Sequence, residues 1–261
     1  MLAAGITAFV YSVGEFSANL IAGVVALFAA VVLLGLFAAR QLKLEHPVLN
    51  VRPMASVCFW PACLLVVVSM MTTFSMSVLL PLYFEGAYGM TALIAGLLIL
   101  PAIACNAVTS IVGGRVMDAR GAWPLLPVGF ALIAVGQTAI SMTAASMNIG
   151  VVVALTVVVY AGVGLVLSPS QTAGLETLPA AEHPHGTALL NTWNMIAASF
   201  GPSLFIGLLS SSAATAGVTG AATDVAQAIG FATAVRVAAV IAVVGFATSL
   251  VYARRESLMS H

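Results

Sequence analysis

A chain of 261 residues that is 62% hydrophobic and 6% charged, with a mean hydropathy of +1.15, cannot cover a water-facing surface. A soluble domain carries about 25% charged residues to keep its surface solvated, so hydrocarbon must be the solvent for most of this chain. The net charge of zero gives no bulk attraction for nucleic acid.

The opening segment, residues 1–13, is apolar but too short to span a bilayer, and it reads as the end of a transmembrane helix that begins upstream. It has no early Lys or Arg, and so lacks the basic region of a signal peptide. A membrane helix needs about 20 apolar residues. Seven stretches meet that length, at roughly 18–39, 56–82, 91–113, 124–145, 149–169, 187–210 and 229–252. Pro81 with Gly86 and Gly89, Gly121 with Pro124, and Pro179 with Pro184 and Gly186 punctuate the connections. The spans are apolar on all faces, as helices facing both lipid and neighbours should be. The expected fold is therefore all-α, a polytopic membrane bundle of about seven transmembrane helices, since helices and closed barrels alone satisfy their backbone in lipid. Cys58, Cys63 and Cys105 stand inside apolar stretches without metal spacing and read as small packing residues.

Charge fixes an orientation. Arg40, Lys43 and Arg52 lie between the first and second spans, Arg115 and Arg120 between the third and fourth, and Arg254 and Arg255 after the seventh. The connections near 83–90, 146–148 and 211–228 hold no Lys or Arg. The positive-inside rule makes the basic side cytoplasmic, and the C-terminus with it. The exception is Arg236, read as near the outer end of the last span, where it can snorkel or pair. Trp60 and Trp123 sit near span ends, as an aromatic belt requires.

Three stretches then occur in order. Leu80-Pro81-Leu82-Tyr83 and Gly89 lead into Thr91-Ala92-Leu93-Ile94-Ala95-Gly96-Leu97-Leu98-Ile99-Leu100-Pro101. Gly113-Gly114-Arg115-Val116-Met117-Asp118-Ala119-Arg120-Gly121 follows the third span. Gly162-Val163-Gly164 runs to Pro169, then Leu178-Pro179 and Gly186-Thr187-Ala188-Leu189-Leu190-Asn191-Thr192. In order and spacing these resemble the C-terminal half of the fourteen-helix drug:proton antiporters of the major facilitator superfamily. Two positions depart from that pattern: Ala119 stands where an Arg usually follows the Asp, and Trp193-Asn194 where Arg-Gln is frequent.

The resemblance implies that residues 14–55 are a linker helix and cytoplasmic loop, 56–253 a six-helix transporter domain, and 254–261 a cytoplasmic tail. The six helices would form two three-helix inverted repeats, with substrate near the midplane. The implied activity is proton-coupled efflux of small amphiphilic compounds by alternating access, in the cell (inner) membrane. The implied partners are the lipid bilayer, a small-molecule substrate, protons, and the missing N-terminal half or a partner chain. No cofactor and no metal is implied.

On that pattern Gly114, Arg115, Asp118, Arg120 and Gly121 form a conformational loop motif, and Asp118 is also placed to cap the next helix. Asn191 and Asn194 share a helical face and either line the substrate path or bond between helices. Gln171 extends that polar patch or sits at the interface. Tyr83 and Glu85, at the outer end of the second span, are placed with these residues on the substrate path, where Glu85 relays protons, recruits cationic substrates or is a solvated helix end. Pro101, Gly162, Gly164, Gly201 and Pro202 are hinges or sites of close packing. Glu182-His183-Pro184-His185 has too few donors for a dedicated metal site and reads as a solvated loop. No carboxylate lies deep in a span, so a coupling carboxylate belongs to the missing half, with Glu15 a weak alternative. Two other readings stand beside transport: a non-transporting remnant or half-transporter that acts with a partner chain, and an intramembrane enzyme. The enzyme lacks a nucleophile–base pair, paired carboxylates or metal ligands at depth.

Overall fold

The computed structural model describes residues 52–56 and 59–259, with single positions between 5 and 36. Six long helices follow one another: α1 Phe59–Tyr88, α2 Ala92–Arg120, α3 Leu125–Thr143, α4 Ile149–Glu176, α5 His183–Val218 and α6 Thr223–Met259. Short 3₁₀ turns stand at Arg52–Ala55, Ala144–Ser146 and Ala180–Glu182, and no strand occurs among the described residues. All six helices are long and apolar enough to cross a membrane. They correspond to the last six expected spans. The first, 18–39, and the segment 1–13 lie largely outside the described residues, although Val25, Phe28, Val32 and Leu36 are helical.

The helices outrun their apolar cores. α2 continues to Arg120, where Gly121 takes a φ of 76° and returns its N–H to the Met117 carbonyl at 2.9 Å. At the other end of the bundle, α1 stops at Gly89, whose φ of 63° places its N–H 3.0 Å from the Glu85 carbonyl. Both are left-handed C-terminal stops that a Cβ would strain. Pro81, Pro101, Pro169 and Pro202 each fall inside a continuous helix. α5 runs unbroken through Gly201-Pro202, since a proline is tolerated in a membrane helix where its neighbours satisfy the backbone groups that it frees.

The packing crosses over. α1 packs against α4, α5 and α6, and α4 against α1, α2 and α3. α3 also meets α6. Exchanging α1–α3 with α4–α6 largely preserves this pattern, since α2 lies on α4 as α5 lies on α1. It is the arrangement expected of two three-helix repeats that lean on each other. The symmetry fails at one place: α5 packs well on α6, whereas α2 scarcely touches α3.

Small residues set the closest approaches. Gly162 faces α3, where a Cβ would stand 2.6 Å from the Gly129 carbonyl, and Gly164 faces α2, where it would stand 2.6 Å from the Asn106 carbonyl. Two positions apart on α4, these glycines open opposite faces to different helices. Sixty-one per cent of the apolar span of α1 and of α3 is buried, against 17% for α2 and 22% for α5. The bundle therefore has a packed centre and two bare flanks.

Candidate functional site

Two contacts set the heights of α4 and α5 against α1. Gly174 of α4 lies against Ala62, and Gly201 of α5 lies against Met71 and Ser75. Counting from these at about 1.5 Å per residue, Ser170 and Gln171 of α4 and Asn191 and Asn194 of α5 fall in the first third of α1. Tyr83 and Glu85 lie about 25 Å further along it. The structure thus brings Gln171, Asn191 and Asn194 to one depth and sets Tyr83 and Glu85 at the opposite end.

At the first of these levels the polar groups are under-satisfied. Asn194 is buried and its Oδ1 has no hydrogen-bond partner, and the fully buried Ser170 Oγ has none either. Asn191 is exposed on α5 and Gln171 is half-buried on α4. Deeper in the bundle, Ser75 Oγ and both amide atoms of Gln137 are likewise buried without partners. An unsatisfied buried polar group costs about 1–3 kcal/mol. A bundle that keeps several of them sacrifices stability for polarity at depth. Ser75, Gln137 and Ser170 were missed by sequence reasoning. Gln137 carried a visible signal, as an amide in the run Ile133–Ile140, whose other polar side chain is Thr138. Asn106 was also missed: its Nδ2 donates to the Tyr160 carbonyl at 3.0 Å and ties α2 to α4.

The Tyr83 end is saturated by comparison. Its hydroxyl donates to the Ala144 carbonyl at 2.8 Å and lies 3.2 Å from the Tyr88 hydroxyl. Its ring stacks on Phe231 of α6, with centroids 4.2 Å apart. Tyr83 is fully buried, while Glu85, one turn-half further, is exposed. One side chain joins α1, α6 and the turn after α3.

The motif Gly114–Gly121 is helical rather than a loop: Gly114, Arg115, Asp118 and Arg120 occupy the last two turns of α2, and Gly121 ends it. The expected cap is not made. α3 begins after Pro124 with no side-chain cap, because Asp118 is still within α2 and exposed. Gly113 is the packing glycine of this segment, 3.3 Å from the Gly164 carbonyl by its missing Cβ, whereas Gly114 faces open space. Pro101 is exposed on α2, and Pro202 is half-buried beside Gly201.

Charged groups keep to the ends, with one exception. Glu85, Asp118, Glu176 and Asp224 are exposed at helix termini. His183 Nε2 lies 3.1 Å from the Leu178 carbonyl, and no group of three or more His, Cys, Asp or Glu capable of holding a metal exists among the described residues. Arg236 is the exception. α6 begins at Thr223, not near 229, which places Arg236 about 20 Å along the helix. It is deeper than the sequence implied, and exposed. A charge at the bilayer centre costs about 2.5–3.5 kcal/mol on insertion scales.

A family model described as Major Facilitator Superfamily matches residues 1–202. The chain is 31% identical over 199 residues to the lincomycin resistance protein LmrB of Listeria monocytogenes, covering 76% of this chain and 42% of the relative. It is 32% identical over 187 residues to the Bacillus subtilis protein of the same name, covering 71% and 39%. With an uncharacterized MFS-type transporter of Bacillus subtilis, YcnB, it shares 32% identity over 238 residues, 91% of this chain and 50% of the relative. The chain spans half or less of the length of these relatives.

Proposed function

The chain belongs to the Major Facilitator Superfamily, and from that premise we propose that it works as the C-terminal half of a proton-coupled exporter of small amphiphilic compounds. Its relatives include proteins named for lincomycin resistance, which makes lincomycin the natural first probe. In this reading residues 14–55 are the linker, 56–253 the six-helix domain and 254–261 a cytoplasmic tail, with the C-terminus in the cytosol of a cell whose inner membrane holds the protein.

The observation that supports the reading is the pair of bare flanks. α2 and α5 bury only 17% and 22% of their apolar spans, and the under-satisfied Asn194 with exposed Asn191 stands on one of them. A companion six-helix half laid on these flanks would leave a polar path between the two units. Alternating access then consists of the halves rocking about that path. Since the described carboxylates all sit at helix ends, the proton-binding group belongs to the companion half.

The test is growth of lincomycin-sensitive cells that express the chain with and without the N-terminal half of a drug-resistance relative. Resistance that needs both halves, and that a protonophore abolishes, is the expected result. Equal sensitivity in every strain, with both halves present in the membrane, refutes transport and leaves the reading of a non-transporting remnant.

A further inference from the structure

Arg236 is exposed on an apolar side of α6. Val240, Val243 and Ala247, four, seven and eleven residues on, share its face and are exposed too. Phe231, Val235 and Ala242 are buried on the other side. Among the described residues no carboxylate comes within reach of the guanidinium. Asp224 is about 18 Å back along the helix. Glu85 follows Tyr83 by two residues, which turns it to the side of α1 away from α6.

The depth of this cation follows from aromatic markers. Gly245 of α6 lies against both Val68 and Phe130. Trp60 and Trp123, eight and seven residues before those two, therefore stand near one level, and both are exposed. Exposed tryptophans at a common height mark a membrane interface. Tyr83 stands about 35 Å beyond Trp60 at 1.5 Å per residue, slightly more than the roughly 30 Å of a hydrocarbon core. Tyr83 and Phe231, stacked on each other, thus lie at the opposite interface. Arg236 is five residues, about 7.5 Å, inside that level.

Helical side chains lean toward their own N-terminus. The arginine stem lies along apolar surface while its charge reaches for polar surroundings. The guanidinium is carried in this way to the headgroup boundary at the Thr223 end of the bundle, with no protein anion among the described residues to meet it.

We infer that Arg236 binds the phosphate of an anionic phospholipid at this end, with an acyl chain lying along Val240, Val243 and Ala247. A guanidinium presents donors in a planar fork that matches phosphate oxygens. The apolar stripe runs from the cation toward the bilayer centre, the direction an acyl chain takes from its phosphate. An anionic headgroup fits better than a zwitterionic one, because no described carboxylate stands near to receive an ammonium. The site depends on the six helices spanning a bilayer, and is independent of transport.

Lipid titration into the delipidated full chain in detergent tests this. Phosphatidylglycerol should raise the thermal midpoint of the wild-type chain more than phosphatidylethanolamine does, and native mass spectra should show it retained. Arg236→Leu removes a charge from an apolar face, so the variant should insert and fold as well as the wild type. It should bind phosphatidylglycerol about tenfold more weakly, the loss carried by one charge-assisted pair, and lose the preference between the two lipids. Arg236→Lys keeps the charge without the fork and should retain part of that preference. Three results would overturn the proposal: equal retention of phosphatidylglycerol by the wild type and Arg236→Leu, no preference between the lipids in the wild type, or unchanged lipid binding in an Arg236→Leu variant whose mass falls from dimer to monomer. The last would assign the cation to a carboxylate of a second copy.

Discussion

α1 and α2 are of nearly equal length and similar hydropathy, 2.2 and 2.1 over their apolar spans, yet 61% of one span is buried and 17% of the other. Composition does not separate a core helix from a flank helix in this protein, because lipid and protein interior reward the same residues. What separates them is small-residue geometry. α2 touches the bundle along one narrow line, where Gly113 and Asn106 meet Gly164 and Tyr160 of α4. The rest of its circumference, including Leu93, Leu97, Ile103 and Val108, is exposed. A helix held firmly on one face by α4 and bare on the rest is one that a second body can cover.

The comparison breaks most sharply at that line. Gly164→Val places a branched side chain against the Asn106 carbonyl, which a Cβ alone would approach to 2.6 Å. Overpacking of this kind costs about 1–3 kcal/mol where side chains can yield, and more where backbone must move. The variant should lose its monodisperse peak in size-exclusion chromatography. Tyr83→Phe tests the packed centre: it keeps the stack on Phe231 but leaves the Ala144 carbonyl without its 2.8 Å donor. A loss of about 1–2 kcal/mol, read as a lower thermal midpoint in detergent, is expected.

Asn194→Leu sharpens the contrast between stability and function. The substitution removes a buried Oδ1 that has no partner, so the melting temperature should hold or rise by the equivalent of about 1 kcal/mol. Resistance in the two-half assay should fall at the same time. A variant that destabilises the fold and leaves resistance intact would make Asn194 an ordinary interhelical contact. The smallest effect belongs to Gly114→Ala, on the open side of α2. Helix propensity predicts a gain of at most about 1 kcal/mol, and a marked loss would show that this face is already in contact with something.

Much of the architecture was legible in the chain. The six described spans sit where apolar length put them, and their order carried the family. Boundaries were less legible, for a physical reason. Charged and glycine-bearing turns such as Gly114–Arg120 look like a loop by hydropathy, but a helix emerging from the bilayer continues until a residue such as Gly121 reverses the backbone. The absent cap at Asp118 follows from the same error. Depth was hardest to read. Tyr83 and Asn194 are both polar residues in apolar runs, and the heights fixed by Gly174 and Gly201 put them about 25 Å apart along α1. Ser170 was not legible because it sits among other polar residues, Ser168, Gln171 and Thr172, at the end of its span, and nothing in their spacing shows which of them is buried.

The crossed packing of α2 also has a consequence in time. Its neighbour is α4, not the helices beside it in the chain, so during synthesis α2 enters the bilayer before its partner exists. Between the emergence of Arg120 and that of Glu176, a ribosome adding about 5–20 residues per second needs about 3–11 s. For that interval Asn106, whose amide later reaches the Tyr160 carbonyl, must be sheltered by the insertion machinery or by lipid headgroups. Nascent chains halted between these two points should therefore be the ones that membrane proteases remove first.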